Sequence, residues 1–205
     1  MIQEKYSSDT ENRIIKAARK VFIKNGLSGT RMQNIANEAK INKALLHYYF
    51  RSKEKLFDAV FKYAFFKFVP KIEEILNSEK SIFEKIELIA EQYIGALMRN
   101  QFIPLFVLHE INRNPKRLYE LMQQVGITPV KLVEQIQQEI KKGNIINIRP
   151  EQLIINLLSL CVFPIAGRPL LQRVFFHNDK RQYQQFLESR KKEVPQFVIN
   201  SIKVK

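Results

Sequence analysis

Lys43, His47 and Tyr48 are hydrogen-bond donors spaced so that, at about 100° per residue, they share one side of a short helix. Ala44 joins them there, while Leu45, Leu46, Tyr49 and Phe50 share the other side. A helix with donors on one side and apolar groups on the other suits the DNA major groove. Base edges present acceptors to such donors, and the apolar side anchors the helix to its own protein. Asn42 stands where the N-cap belongs, and its side-chain oxygen can accept an orphan N–H of the first turn. Arg31, Arg51 and Lys53 add positive charge around the same segment.

The elements that must hold this helix are also legible. Thr30 and Gln33 have the spacing of a capping box, predicting a helix whose apolar positions are Met32, Ile35, Ala36 and Ala39. Lys40 and Ile41 make the turn into the second helix, giving a helix-turn-helix over about residues 31–50. A preceding helix runs from about Asp9 to Asn25, with Gly26 as its stop. Its stripe of Ile14, Ile15, Ala18, Val21 and Phe22 is suited to clamp the other two. Ser52 caps a long following helix that carries Phe57, Phe61 and Phe65, with Pro70 expected to bend or restart it.

Residues 10–61 resemble the TetR family of bacterial transcriptional regulators. The resemblance is carried by Gly26, Ser28-Gly29, Thr30, Ile35-Ala36, Ala39, Ile41 and the run LLHYYFRSKEKLF. It implies an all-α fold, with an N-terminal DNA-binding domain over residues 1–51 and a helical ligand-binding and dimerisation domain over 52–205. It makes Thr30, Tyr49 and Lys53 phosphate contacts. Arg31, Asn42, Lys43, Ala44, His47 and Tyr48 are then the base or groove contacts. Leu45 departs from the polar residue common in the family, so it reads a thymine methyl or simply packs.

Composition agrees with a polyanionic partner. The chain has 205 residues, 45% of them hydrophobic, and a net charge of +14. Residues 1–55 hold 12 Lys and Arg against 5 acids, a net +7, which leaves +7 for the much longer remainder. Charge density is therefore greatest where the DNA-reading motif lies. A single cysteine, Cys161, excludes an internal disulfide and fits a reducing compartment. The first residues have no apolar signal core, and no stretch reaches 18 apolar residues, so the expectation is a cytoplasmic protein with no membrane partner.

Catalytic signatures are missing from the sequence. His47, His109 and His177 lie far apart, and there is no HExxH, Walker loop, GxGxxG or GxSxG. The reading is therefore no enzyme, no metal and no cofactor.

Beyond residue 77, helix signals continue: a Ser81–Glu84 capping box, Pro129 and Pro150 near helix starts, and Gly143 after a cationic last turn. One helix is expected from Pro150 to Leu171 with kinks at Pro164 and Pro169, and a last one over about Lys180–Ile202. The aromatic content suggests an apolar pocket with a few polar groups. Phe61, Phe65, Phe102, Phe106 and Phe163 are its candidate walls, with Tyr93, His109 and Asn112 as polar contacts. The helix from Pro150 is apolar on nearly every side, so one side requires a cover beyond its own core. The family resemblance makes that cover a second copy. Leu153, Leu157, Leu160, Tyr183, Phe186 and Phe197 are the expected dimer contacts.

The combined expectation is a homodimeric regulator of double-stranded operator DNA, a repressor released by an apolar or amphipathic small molecule. A ligand-responsive activator, and a basic protein binding nucleic acid or membrane surfaces without sequence preference, are the alternatives.

Overall fold

The structure, a computed structural model, describes residues 2–66, 69–101, 103–113, 115–124 and 128–204. They form α-helices joined by short turns, together with one isolated bridge between Ile145 and Lys203. The chain divides into two compact units, Met1–Phe66 and Lys67–Lys205.

The first unit holds α1 (Ile2–Gly29), α2 (Met32–Glu38), α3 (Lys43–Tyr49) and α4 (Lys53–Phe66). The boundary suggested near residue 52 marks the end of the motif; the compact unit extends further because α4 packs on α1. Ile14, Ala18 and Phe22 of α1 meet a core completed by Ile35, Ala36, Leu46, Leu56, Val60 and Phe61, all essentially without solvent exposure. Phe22 and Phe57 meet edge to face, with ring centroids 4.7 Å apart. Lys20 of α1 reaches Glu38 of α2 at 3.0 Å on the surface. Helix α1 begins earlier than the sequence suggests, because Ser7 and Ser8 cost a helix interior only a little.

Gly26 does interrupt α1, with φ 68° and ψ 175°, a conformation only glycine adopts readily. The capping box expected at Thr30 does not form. Arg31 takes the N-cap position of α2, and the Thr30 hydroxyl instead donates to the Gly26 carbonyl at 2.6 Å. The left-handed turn at Gly26 presents that carbonyl, and Thr30, only 2% exposed, is the nearest donor to satisfy it. Gln33 is left to pair with Asn37 along its own helix at 2.9 Å.

The second unit holds α5 (Val69–Asn77), α6 (Ile82–Arg99), α7 (Ile103–Arg113), α8 (Pro115–Gln124), α9 (Val130–Lys141), α10 (Pro150–Ala166), α11 (Arg168–Phe176) and α12 (Lys180–Ile202). Pro70 sits in the first turn of α5, where its missing N–H costs nothing. Helix α6 is central and packs against α5, α9, α10 and α12. Its Ile82, Ile86, Ala90 and Ile94 join Leu132, Ile136, Leu153, Leu157, Cys161, Val198 and Ile202 in one core. The Ser81–Glu84 capping box that opens α6 is complete. Lys85 is buried, and its ammonium donates to the Leu76 carbonyl at 2.9 Å, placing a cation on the last turn of α5. Burial lowers its pKa from the usual lysine value.

The Pro150 helix ends earlier than proline spacing suggests. Helices α10 and α11 meet at 75°, and the break is at Gly167 rather than at a proline. A Cβ on Gly167 would stand 3.1 Å from the Phe163 carbonyl that its own N–H bonds. Pro169 follows harmlessly in the first turn of α11. Pro164 lies inside α10 without ending it. Its ring deprives the Leu160 carbonyl of a donor, and the Arg190 guanidinium supplies one through Nη2 at 2.6 Å. Asp179 then caps α12, accepting from the N–H groups of Arg181 and Gln182 at 2.7 and 3.0 Å. Among the described residues no single helix is long and apolar enough to cross a membrane.

Candidate nucleic-acid interface

Helix α3 is only seven residues long, too short to be stable alone, so its geometry is imposed from both ends and from beneath. At the start, Asn42 Oδ1 accepts from the Leu45 N–H at 2.7 Å. Ahead of it the chain reverses through Lys40, whose φ of 53° is left-handed, and the Ile41 N–H returns to the Ala36 carbonyl at 3.0 Å. Beneath, Leu46 is fully buried and Phe50 nearly so. The α2–α3 angle is thereby fixed by a turn, a cap and one leucine.

What remains outward is the donor stripe. Lys43, Ala44 and His47 are exposed, and Tyr48 is 80% exposed, its ring set edge-on to Tyr49 at 5.5 Å. Arg31 and Asn42 are exposed at the starts of α2 and α3. Tyr49 and Lys53 are half-buried. Lys53 opens α4 beside free backbone N–H groups, and the Ser52 hydroxyl accepts one of them, from Lys55, at 3.1 Å. Two sequence expectations need correction. Thr30 is buried with its hydroxyl committed to Gly26, so it stands behind the surface rather than on it. Leu45 lies on the exposed side, while Leu46 and Phe50 fill the space against the core.

This arrangement is a rigid short helix, anchored on one side and lined with cationic and hydrogen-bonding groups on the other. It has the shape and charge to enter a groove of duplex DNA. A model of bacterial regulatory proteins of the tetR family matches residues 14–60, a stretch spanning α2, α3 and their clamps.

Residues 14–60 carry a TetR-family DNA-binding domain.

Over 97 residues the chain is 33% identical to the HTH-type transcriptional repressor NicS of Pseudomonas putida, covering 45% of this chain and 46% of NicS. The chain thus spans less than half the length of that relative. Solved structures resemble the chain over nearly its full length. HlyIIR, a hemolysin II transcriptional regulator, aligns with a TM-score of 0.67 at 25% identity, covering 97% of this chain and 99% of its own. FadR from Bacillus subtilis, solved with stearoyl-CoA, aligns with a TM-score of 0.66 at 16% identity, covering 93% and 98%.

The pocket residues expected from the sequence are described only in part. Phe61 is fully buried in the core of the first unit. Tyr93 packs against the core of the second unit, where burial pushes its phenol up to about 12. Asn112 is exposed and returns its amide to the Leu108 carbonyl of its own helix at 2.7 Å. Phe102 lies outside the described residues, as do the side chains of Phe65, Phe106 and His109. Phe163 does line a cleft, but one built by α10, α11 and α12.

The expected dimer contacts divide as well. Leu153, Leu157 and Tyr183 are buried in their own chain and present nothing to a partner. Tyr183 is held there by donating its hydroxyl to the Pro164 carbonyl and by edge-on contact with Phe176 at 5.1 Å. Leu160 and Phe186 are half-buried, and Phe197 is exposed. The apolar groups of α10 that face outward are Ile155, Leu158 and Phe163. Sequence reasoning missed Arg190, because the orphan carbonyl it satisfies lies thirty residues away along the chain.

Proposed function

We propose that this chain is a homodimeric TetR-family transcriptional repressor that reads a palindromic double-stranded operator through α3 and releases it when a small molecule binds the second unit. The observation that carries this reading is the outward stripe of Lys43, His47 and Tyr48 on a helix whose opposite side is locked by Leu46. Lys43, Ala44, His47 and Tyr48 meet the groove, with Arg31 and Asn42 beside them. Lys53 and Tyr49 meet phosphates. Lys43 donates to guanine O6 and N7. Thr30 keeps the Gly26 turn in shape behind this surface.

The second copy covers Ile155 and Leu158 of α10 together with Phe197 of α12, a set of exposed apolar groups that a monomer would leave in water. Ligand release is supported by the size of the second unit and by the relative of this fold solved with stearoyl-CoA. The reading assigns the protein to the cytoplasm and gives it no catalytic step.

Selection of bound sequences from random duplex DNA tests it. The expected product is a pair of inverted half-sites whose centres lie about 34–36 Å apart, one turn of DNA, or a small multiple. Enrichment of no sequence, or of a single unrepeated half-site, would overturn the reading.

A further inference from the structure

Helices α10, α11 and α12 line an open cleft of about 620 Å³, within the range of small-molecule sites. Its wall is almost wholly apolar, formed by Leu160, Phe163, Leu171, Phe175 and Phe186, with one charged group, Arg190. The guanidinium has five N–H donors. One hydrogen bond is made, from Nη2 to the Leu160 carbonyl at 2.6 Å. The Phe186 ring lies beneath it at 5.5 Å, and among the described residues Nε is buried without a hydrogen-bond partner and no carboxylate stands within ion-pair distance. Glu193, exposed one turn along α12, is the carboxylate that acts on Arg190 electrostatically, and it forms no ion pair with the guanidinium in the cleft.

We infer that this cleft is a binding site for a small amphipathic monoanion, whose carboxylate or sulfonate pairs with Arg190 and whose apolar body lies against Leu160, Phe163, Leu171 and Phe175. Three features point there. The planar guanidinium matches a two-oxygen anion in fork geometry. The Phe186 face and the Leu160 carbonyl hold that fork in place, so little side-chain freedom is lost on binding. The rim is apolar: Phe163 and Phe175 are 62% and 69% exposed, surface that an apolar ligand body would remove from water. Burial also works against the arginine's charge and lowers its pKa, a penalty that a bound anion relieves.

The site names a ligand class for the second unit. As an effector site it rests on the repressor reading; as a binding site it does not. Binding is therefore measured on the full chain without DNA, by calorimetry with decanoate, 1-decanol and decyltrimethylammonium. Decanoate is expected to bind at least about tenfold tighter than decanol, with the ammonium weakest. Arg190→Gln should lose that preference, binding decanoate and decanol alike, and Arg190→Lys should retain part of it. Because Arg190 also supports α10, a second variant leaves the core alone. Phe175→Glu places a carboxylate on the exposed rim and should weaken decanoate about tenfold or more while sparing decanol relatively. Equal binding of decanoate and decanol to the native chain would overturn the inference. So would unchanged decanoate affinity in both Arg190→Gln and Phe175→Glu, or sedimentation showing that Phe175→Glu only dissociates a dimer, since a second copy would then fill the cleft. Failure here leaves the operator selection untouched, and failure of that selection leaves this site standing as a ligand site without an operator.

Discussion

In the first unit α3 keeps Leu46 inside and turns Lys43, His47 and Tyr48 outward; in the second α10 keeps Leu153, Leu157 and Cys161 inside and turns Ile155, Leu158 and Phe163 outward. Both helices are anchored along one side. They differ in what the free side is made of. On α3 the change from apolar to polar marks the boundary of the core, so the outward face declares itself. On α10 leucine and isoleucine occur on every side, and nothing in their type separates a core contact from a surface contact. The lesson is that an apolar residue identifies a covered position only where a polar neighbour defines the alternative.

The largest effect that tests this contrast comes from neighbouring leucines. Leu157→Ala is expected to destabilise the protein by about 2–5 kcal/mol, as cavity formation in a packed core does. Leu158→Ala should cost within about 0.5 kcal/mol in the isolated chain. Urea unfolding at concentrations too dilute for self-association reads both; comparable losses would mean that α10 is oriented differently.

The corresponding test on the first unit uses DNA. Lys43→Ala is expected to lose about 1–3 kcal/mol on the selected operator and to relax preference at one base pair. Lys53→Ala should weaken every duplex alike and reduce the salt slope by about one unit. If Lys43→Ala weakens operator and random DNA equally, α3 is not the base-reading element.

Gly26→Ala sharpens the same comparison from the backbone. Its φ of 68° with ψ of 175° should make alanine cost about 1–3 kcal/mol even though a Cβ would meet no atom within 4 Å. Thermal unfolding followed by circular dichroism measures this. A neutral result would show that the turn relaxes, and operator affinity should then fall with the altered Thr30 contact.

The smallest effect is electrostatic and belongs to the caps of the second unit. Hydrogen bonds from Ser81 hold the Glu84 carboxyl below its ordinary range, and the Gln182 and Arg181 N–H groups do the same for Asp179. A carboxylate depressed in the folded state adds stability above its unfolded pKa and loses it as pH falls through the folded one. Stability should therefore slope gently downward as pH drops below the ordinary carboxylate range. Glu84→Gln with Asp179→Asn should flatten that slope; an unaltered slope in acid titrations of stability would show that the caps carry no charge contribution.

Much of the first unit was legible in sequence because its signals are local. Asn42 caps within three residues, Gly26 turns the chain where it stands, and the stripe of Ile14, Ala18 and Phe22 repeats at helical spacing. Thr30 misled because two acceptor-donor arrangements share its spacing, and the one that prevails depends on which way the Gly26 carbonyl points. In the second unit the capping box at Ser81 and the start at Pro150 were equally local. The α10–α12 cleft was not. Arg190, Phe186, Leu171 and Phe163 meet only through the 75° break at Gly167, and no spacing rule predicts that angle.

Pro164 gives α10 an order of assembly. Its helix cannot close its own ladder at Leu160, and the donor that does so belongs to residue 190. During synthesis from the N-terminus, the Leu160 carbonyl has only water to bond until Arg190, thirty residues later, has been made and α12 can fold back. The Tyr183 hydroxyl on Pro164 is delivered by the same return. The last helix of this chain is therefore the event that completes an earlier one, and a chain cut short before Arg190 would lack the means to finish α10.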